Sequence, residues 1–397
     1  MPKWKPSYPP ERSGRPLERQ ARNVTMKAAA PAVSDCASDK TGGLRSFIEV
    51  LKRSGNLRQI TQQVDWKYEV GEITRRSDTP LLFQSIKDYP GHQVFTNGLI
   101  RWKTIALALG FGAGIARSEA IEELRRRIAA PVSPVRLADA PVFEQVLSQD
   151  QLDLLQLPVP HWNNADAGRY IGTWHVNISR DPEDGGYNLG VYRMQVLGPR
   201  QATISTSAKS HLGMQFLKAE AKGRPLQAAV AIGVGEPLFI AAAAGYPCGR
   251  DEYELAGALQ QKGVELVHCR SIDLEVPADA EILIEGRILP GVRAVDGPYF
   301  DYAGKATTNP QAFVFEATRL SYRRSPIFRG AVVGHPGAED LQLFSVLSEV
   351  GLFDFHGSRA RRALQILFLR GGLFRGFQWA GRVGPGMIRD FFGNRKA

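Results

Sequence analysis

No apolar run of ~18 or more residues free of charge occurs in the 397-residue chain, so it offers no candidate membrane-spanning helix. The first residues, MPKWKPSYPPERSGRPLERQARN, lack the apolar centre of a secretory signal. Cysteine is scarce: Cys36, Cys248 and Cys269 are far apart, form no CxxC and leave one unpaired, which excludes a disulfide framework and points to a reducing, cytoplasmic compartment. HxxxH and HExxH are missing, as are helix-turn-helix, zinc-finger and RNP-like patterns. The formal charge of +10 sits mostly in the N-terminal tail and after Ser358, so it reads as solubility and solvated ends, and no nucleic-acid partner is expected.

What is present, 43% apolar and 23% charged residues, is material for a packed core in two or three domains. Residues 1–43 are rich in Pro, Arg, Ser and Ala without hydrophobic period, and read as a disordered basic tail. In LRSFIEVLKRSGN the residues Leu44, Phe47, Ile48 and Leu51 recur at helical spacing until Gly55-Asn56; QITQQVDW reads as a strand, and SEAIEELRRRIAA as a second helix closed by Pro131. Residues 44–135 are thus expected to be an α/β domain. From 136 to 334 short β-branched runs separated by Gly and Pro, among them VYRMQVLG, AAVAIGV, PLFIAAAA, AEILIEGRI and AFVFEATRLSY, suggest a barrel or sandwich whose clearest helix is RDEYELAGALQQ. The segment 335–397 reads as basic and helical.

Three stretches carry residues suited to chemistry. In YNLGVYRMQ, Asn188 and Arg193 would face opposite sides of a regular strand unless Gly190 bends it, and Gly190 would also admit a close ligand. Equally, Asn188 ends the EDGGYN turn and Arg193 is a surface charge. In SAKSHLGM and YPCGRDEYEL, His211 and Glu252 can share a hard divalent cation with Asn188, although an acidic residue in a first helical turn is accounted for by ~0.3–1 kcal/mol of dipole stabilisation. In VDGPYFDYAG, Asp296 and Asp301 either bracket an exposed Gly-Pro turn or repel one another in a poorly solvated loop suited to proton transfer.

Taken in order, NLGVYRMQVLGP, DEYELAGAL, DLEVPADAEILIEG, DGPYFDYAG and PIFRGAVVGHPGAED resemble the UbiD family of prenylated-FMN-dependent reversible decarboxylases, from about Leu44 to Asp340. The resemblance implies an α+β fold: the N-terminal α/β domain, a central FMN-binding split-barrel-like domain, and here an atypical helical C-terminal segment where family members continue into an α/β domain. It implies prenylated FMN with Mn2+ or Mg2+ on its phosphate and K+ nearby, Asn188, His211 and Glu252 as metal ligands, and Val191, Tyr192, Arg193 and Ser210 against the cofactor. Arg193, Asp296 and Asp301 would form the catalytic network, with Arg193 orienting a carboxylate and Asp301 returning a proton. Where the family loop usually begins with Glu, this chain has Asp296, one methylene shorter. The implied partners are an aromatic or α,β-unsaturated carboxylic acid, a flavin prenyltransferase supplying the cofactor, and further copies of the chain in a homo-oligomer. A non-catalytic flavin- and metal-binding accessory subunit is the alternative that the altered C-terminus and the shorter Asp296 favour. A flavin-reductase-like split barrel using ordinary FMN leaves the Arg and carboxylate network without a purpose.

Overall fold

The computed structural model describes residues 42–247, 249–302 and 304–352. The expected tail, apart from Gly42 and Gly43, lies outside the described residues, as do positions 353–397 of the C-terminal segment and Cys36 and Cys248.

The chain folds as a mixed α/β structure. Helix Leu44–Arg53 buries Leu44, Phe47, Ile48 and Leu51, the stripe its periodicity dictates, and carries Lys52 and Arg53 in its last turn, where they complement the carbonyl end. It covers a four-stranded sheet in the order 58–60, 81–83, 93–96 and 327–329, so a strand from late in the chain returns to the N-terminal sheet. The expected strand QITQQVDW is ordered as a strand only to Ile60.

The larger sheet has nine strands and curls as a half-barrel. Its order is Tyr170–Gly172, Met194–Gly198, Gln201–Ile204, Ala306–Tyr322, Ile282–Phe300, Leu226–Ile232, His175–Arg180 and Tyr187–Gly190, with Gln145–Leu147 also on Ala306–Tyr322. Alternation along Leu226–Ile232 sends Ala229 and Ala231 into one apolar cluster and Ala228, Val230 and Ile232 into another, so the sheet is buried on both faces. The long hairpin of Ile282–Phe300 and Ala306–Tyr322 bends through several register shifts, two of them flanking Asp296.

One strand assignment is corrected. PLFIAAAA belongs to the helix Glu236–Ala243, with Pro237 in its first turn and nearly every residue buried. A short continuous apolar run carries no period that separates a buried strand from a buried helix, and alanine-rich sequence favours the helix. Helices Glu69–Arg76, Trp102–Ala108 and His211–Glu220 also appear where no helix is expected.

Candidate functional site

Tyr187–Gly190 and Met194–Gly198 are consecutive strands on distant positions of the curled sheet, so Val191, Tyr192 and Arg193 cross between them outside any ladder. Backbone groups removed from a ladder need other partners, and a stripe of polar side chains on strand His175–Arg180 supplies them. His175, Asn177 and Ser179 are fully buried. Asn177 Oδ1 accepts from the Tyr192 amide at 3.2 Å and from His175 Nε2 at 2.8 Å, while His175 Nε2 also donates to the Tyr192 carbonyl at 3.1 Å. Burial pushes the His175 imidazole down to about 4, which keeps it neutral, and these two acceptors put its proton on Nε2. The Arg193 carbonyl accepts from the Ser205 amide at 3.0 Å.

This crossing resolves the geometry of YNLGVYR. Leaving the strand at Gly190 frees Arg193 from strict alternation with Asn188. The room at Gly190 is taken by the chain itself: a Cβ there would stand 2.5 Å from the Tyr192 ring, so glycine is what admits the ring. Burial weakens the acidity of the Tyr192 phenol, a shift that the neighbouring Leu212 amide and the side chains of Asn188 and Ser210 oppose.

Arg193 is the hub of a polar network. Its Nε donates to Asp296 Oδ1 at 2.6 Å, and a terminal nitrogen donates to the Thr307 hydroxyl at 2.7 Å. That hydroxyl donates in turn to Asp301 Oδ2 at 2.7 Å, and Asp301 lies 3.9 Å from the guanidinium. The other oxygen of Asp296 accepts from Thr203. The guanidinium stands 5.1 Å from the centre of the buried Tyr299 ring. The bulged strand inverts the usual pattern here: Val295 is 58% exposed and Asp296 is fully buried. Burying a carboxylate beside an exposed valine is costly without a partner, and Arg193 is that partner. Asp296, despite its shorter side chain, reaches Arg193 directly. Asp166 pins the same loop by accepting from the Phe300 amide at 2.9 Å; burial raises its carboxyl to about 6.

Asn188, Val191, Tyr192, Arg193, Ser210, His211, Glu252 and Asp301 all line one cavity of about 770 Å³; Asp296 lies behind Arg193 in its wall. The apolar part of the lining includes Trp174, stacked on Phe239 at 4.0 Å, together with Leu343 and Phe344. Asn188 and Glu252 are each 3% exposed. Burial pushes the Glu252 carboxyl up to about 7, opposed by the Leu189 amide that donates to it at 3.2 Å. Among the described residues no basic side chain pairs with Glu252, so a buried carboxylate without a cationic partner, an amide and the imidazole at the start of helix His211–Glu220 share one cavity. That donor set suits a hard divalent cation. Among the described residues no group of three or more His, Cys, Asp or Glu is disposed to hold a metal, so the set depends on Asn188 as its third donor. The Ser210 hydroxyl is engaged in capping that helix, accepting from the Gly213 amide at 3.0 Å and donating to the Ser207 carbonyl at 2.9 Å.

Asp340, on the cavity wall, ends the PIFRGAVVGHPGAED motif but is not among the expected site residues. It is 6% exposed; its Oδ2 accepts from the Gly334 amide at 3.2 Å, and its buried Oδ1 has no partner among the described residues. Burial raises its carboxyl to about 7. An acid raised in this way holds its proton in the folded state and releases it on unfolding. Its contribution is therefore present at low pH, falls as pH rises from the ordinary carboxylate range through about 7, and is flat above. Asp340→Asn is expected to gain stability relative to the parent chain between pH 5 and pH 8, read from urea midpoints at the two pH values; an equal difference at both would contradict a raised Asp340.

Comparison with known proteins adds the family. Residues 133–336 match the UbiD 3-octaprenyl-4-hydroxybenzoate carboxy-lyase Rift-related domain and residues 48–128 its N-terminal domain. The UbiD-class enzyme HmfF from Pelotomaculum thermopropionicum, solved as an evolved dimeric form in complex with prFMN, superposes with a TM-score of 0.72 at 34% identity, covering 78% of this chain and 71% of that one. The vanillic acid decarboxylase of Sedimentibacter hydroxybenzoicus in closed form gives a TM-score of 0.75 at 30% identity, over 78% and 68% of the two chains. A curated relative, the uncharacterized protein sll0936 of Synechocystis sp., is 30% identical over 335 residues, 77% of this chain and 66% of its own; the chain thus spans about two thirds of that relative. Among the described residues no helix is long and apolar enough to cross a membrane. Two matched domains covering most of the described residues, and solved structures alike in both sequence and shape, place this chain in the UbiD family.

Proposed function

We propose that the chain is a prenylated-FMN-dependent carboxy-lyase that removes carbon dioxide non-oxidatively, in a reversible reaction, from an aromatic or α,β-unsaturated carboxylic acid. The curled sheet is read as an FMN-binding split barrel, with Asn188, His211 and Glu252 holding Mn2+ or Mg2+ at the flavin phosphate, K+ nearby, and Val191, Tyr192 and Ser210 beside the cofactor. When bound, the modified flavin supplies the electron sink for loss of carbon dioxide. Arg193 orients the substrate carboxylate through its fixed fork of donors, and Asp296 holds the guanidinium in place. Asp301, coupled to Arg193 through Thr307, carries the proton returned to carbon. The mostly apolar wall of Trp174, Phe239, Leu343 and Phe344 suits the hydrocarbon body of such an acid and keeps water from the reacting carbon.

The observation that carries this reading is the intact buried Arg193–Asp296 pair opening onto the same cavity as Asn188, His211 and Glu252. A site kept only for binding has no use for a guanidinium held by a fully buried carboxylate, which argues against the accessory-subunit alternative. The reading includes a cytoplasmic homo-oligomer supplied with cofactor by a flavin prenyltransferase. Its test is co-expression with such a prenyltransferase and anaerobic purification, followed by absorbance, metal content and carbon dioxide release from a panel of aromatic and acrylic acids. Bound modified flavin with metal and turnover of at least one acid is expected. Modified flavin bound without release from any acid would assign the chain to the accessory role.

A further inference from the structure

Asn188 has two chemically opposite ends, an amide nitrogen that only donates and an oxygen that only accepts, and only the oxygen ligates a cation. Which end faces the cavity is decided behind it. Ser179 is the cross-strand neighbour of Asn188, and Gln215 lies on helix His211–Glu220, one turn from His211 and on the same face. All three side chains are buried: Ser179 at 0%, Asn188 at 3% and Gln215 at 6% exposure.

The sense of the chain of bonds linking them is fixed from its far end. The Gly186 carbonyl can only accept, so Gln215 turns its Nε2 toward it, at 3.3 Å. This leaves Gln215 Oε1, which can only accept, facing the Ser179 hydroxyl at 2.6 Å, so Ser179 must donate there. With its proton so committed, the Ser179 oxygen accepts from Asn188 Nδ2, at 3.4 Å. The Asn188 oxygen is thereby turned away from the strand. The Tyr192 phenol is also a neighbour of the Asn188 side chain, but a hydroxyl either donates or accepts and so does not choose the end.

We infer that Ser179 and Gln215 are positioning residues of the cation site, holding Asn188 with its oxygen toward the cavity through a one-way hydrogen-bond chain anchored on the Gly186 carbonyl. This rests on the reading of Asn188, His211 and Glu252 as the ligand set. Because Gln215 shares a helix face with His211, the same chain ties two of the three ligands to one backbone frame.

The experiment titrates FMN into the purified full chain with Mn2+ or with EDTA, follows flavin fluorescence, and records melting temperature for every variant. Ser179→Ala and Gln215→Met are expected to weaken Mn2+ by ~10- to 100-fold, as loss of a ligand-orienting partner does, with FMN affinity in EDTA near the parent value and a lowered melting temperature that still leaves the chain folded at the assay temperature. Ser179→Thr keeps the hydroxyl and is expected to restore Mn2+ binding. In the background of Asn188→Ala, Ser179→Ala is expected to cause no further loss, since it acts only through Asn188. Mn2+ affinity within about twofold of the parent in both Ser179→Ala and Gln215→Met, beside a large loss in Asn188→Ala, would overturn the inference and leave the ligand set standing. FMN binding that ignores Mn2+ in the parent chain, and is unchanged by Asn188→Ala, would overturn the ligand set and the inference with it.

Discussion

Arg329→Met is expected to lower the unfolding free energy by about 3–5 kcal/mol, the cost of removing one partner from a buried charge cluster. Arg329 is 1% exposed and joins two carboxylates from different helices: Glu236 at 3.0 Å, and Glu339 through two bonds of 3.0 and 2.6 Å. Trp174 donates to Glu236 at 3.1 Å, and the amides of Asn97 and Leu99 donate to Glu339, each at 3.0 Å. The guanidinium also lies 4.5 Å from the centre of the Trp174 ring. Without the arginine, two buried carboxylates would face each other in a poorly solvated core. Burial already raises the Glu236 carboxyl and Arg329 opposes that rise, so the variant should take up protons on folding above the ordinary carboxylate range and lose stability as pH increases.

Chemical denaturation at pH 7 checks this prediction. Adding Glu236→Gln and Glu339→Gln to Arg329→Met should recover part of the loss, because the neutral side chains remove the uncompensated charge and keep an acceptor for Trp174, while the single oxygen left at position 339 serves only one of the two amides. A single variant within about 1 kcal/mol of the parent would show that the cluster is solvated or relaxed and does not hold the helices as described. The cluster also bears on the cavity. Trp174 and Asp340, which follow from Glu236 and Glu339 by contact and by sequence, both line it.

None of this cluster was legible in the sequence, because its members are 93 and 10 residues apart and each has an ordinary local reading. Glu236 and Glu339 stand in first helical turns, where acids are common, and Arg329 lies in a strand that reads as a simple apolar run. The polar stripe of His175, Asn177 and Ser179 was hidden in a different way. WHVNIS alternates as a half-exposed strand should, yet its polar face is the one that supports the Val191–Arg193 crossing, and only the curl of the sheet reveals that both faces are covered. Local period did give helices Leu44–Arg53 and Arg117–Ile128, where about three turns of pattern and a terminating Gly or Pro agree. The candidate site was legible chiefly through the order of its motifs. From spacing alone, Asn188, Glu252 and the two aspartates each had a turn or cap reading as good as the chemical one, and what spacing lacks is the third dimension that brings them to one cavity.

Arg193→Lys is expected to lower kcat/KM of the cofactor-loaded enzyme by ~10²-fold or more while leaving cofactor content unchanged, because orientation and not charge alone is lost. Lysine keeps the charge, but a single ammonium on a flexible stem does not reproduce the fork that meets Asp296 at 2.6 Å and Thr307 at 2.7 Å while facing the cavity. Asp296→Asn should fall in the same range, since the amide has only one oxygen for the donors Arg193 and Thr203 that its two carboxylate oxygens accept from separately. Residues acting as one unit lose activity together, so the double variant should be little worse than the worse single variant. Asp301→Asn is different in kind: removal of the proton carrier should depress kcat by ~10²- to 10⁴-fold with KM little changed. Steady-state kinetics on whichever acid the enzyme turns over, with absorbance confirming equal flavin loading, separates these outcomes. Additive losses in the double variant would mean that Asp296 does not act through Arg193. Full activity in Arg193→Lys would remove the guanidinium from the reaction and with it the mechanism proposed for this cavity.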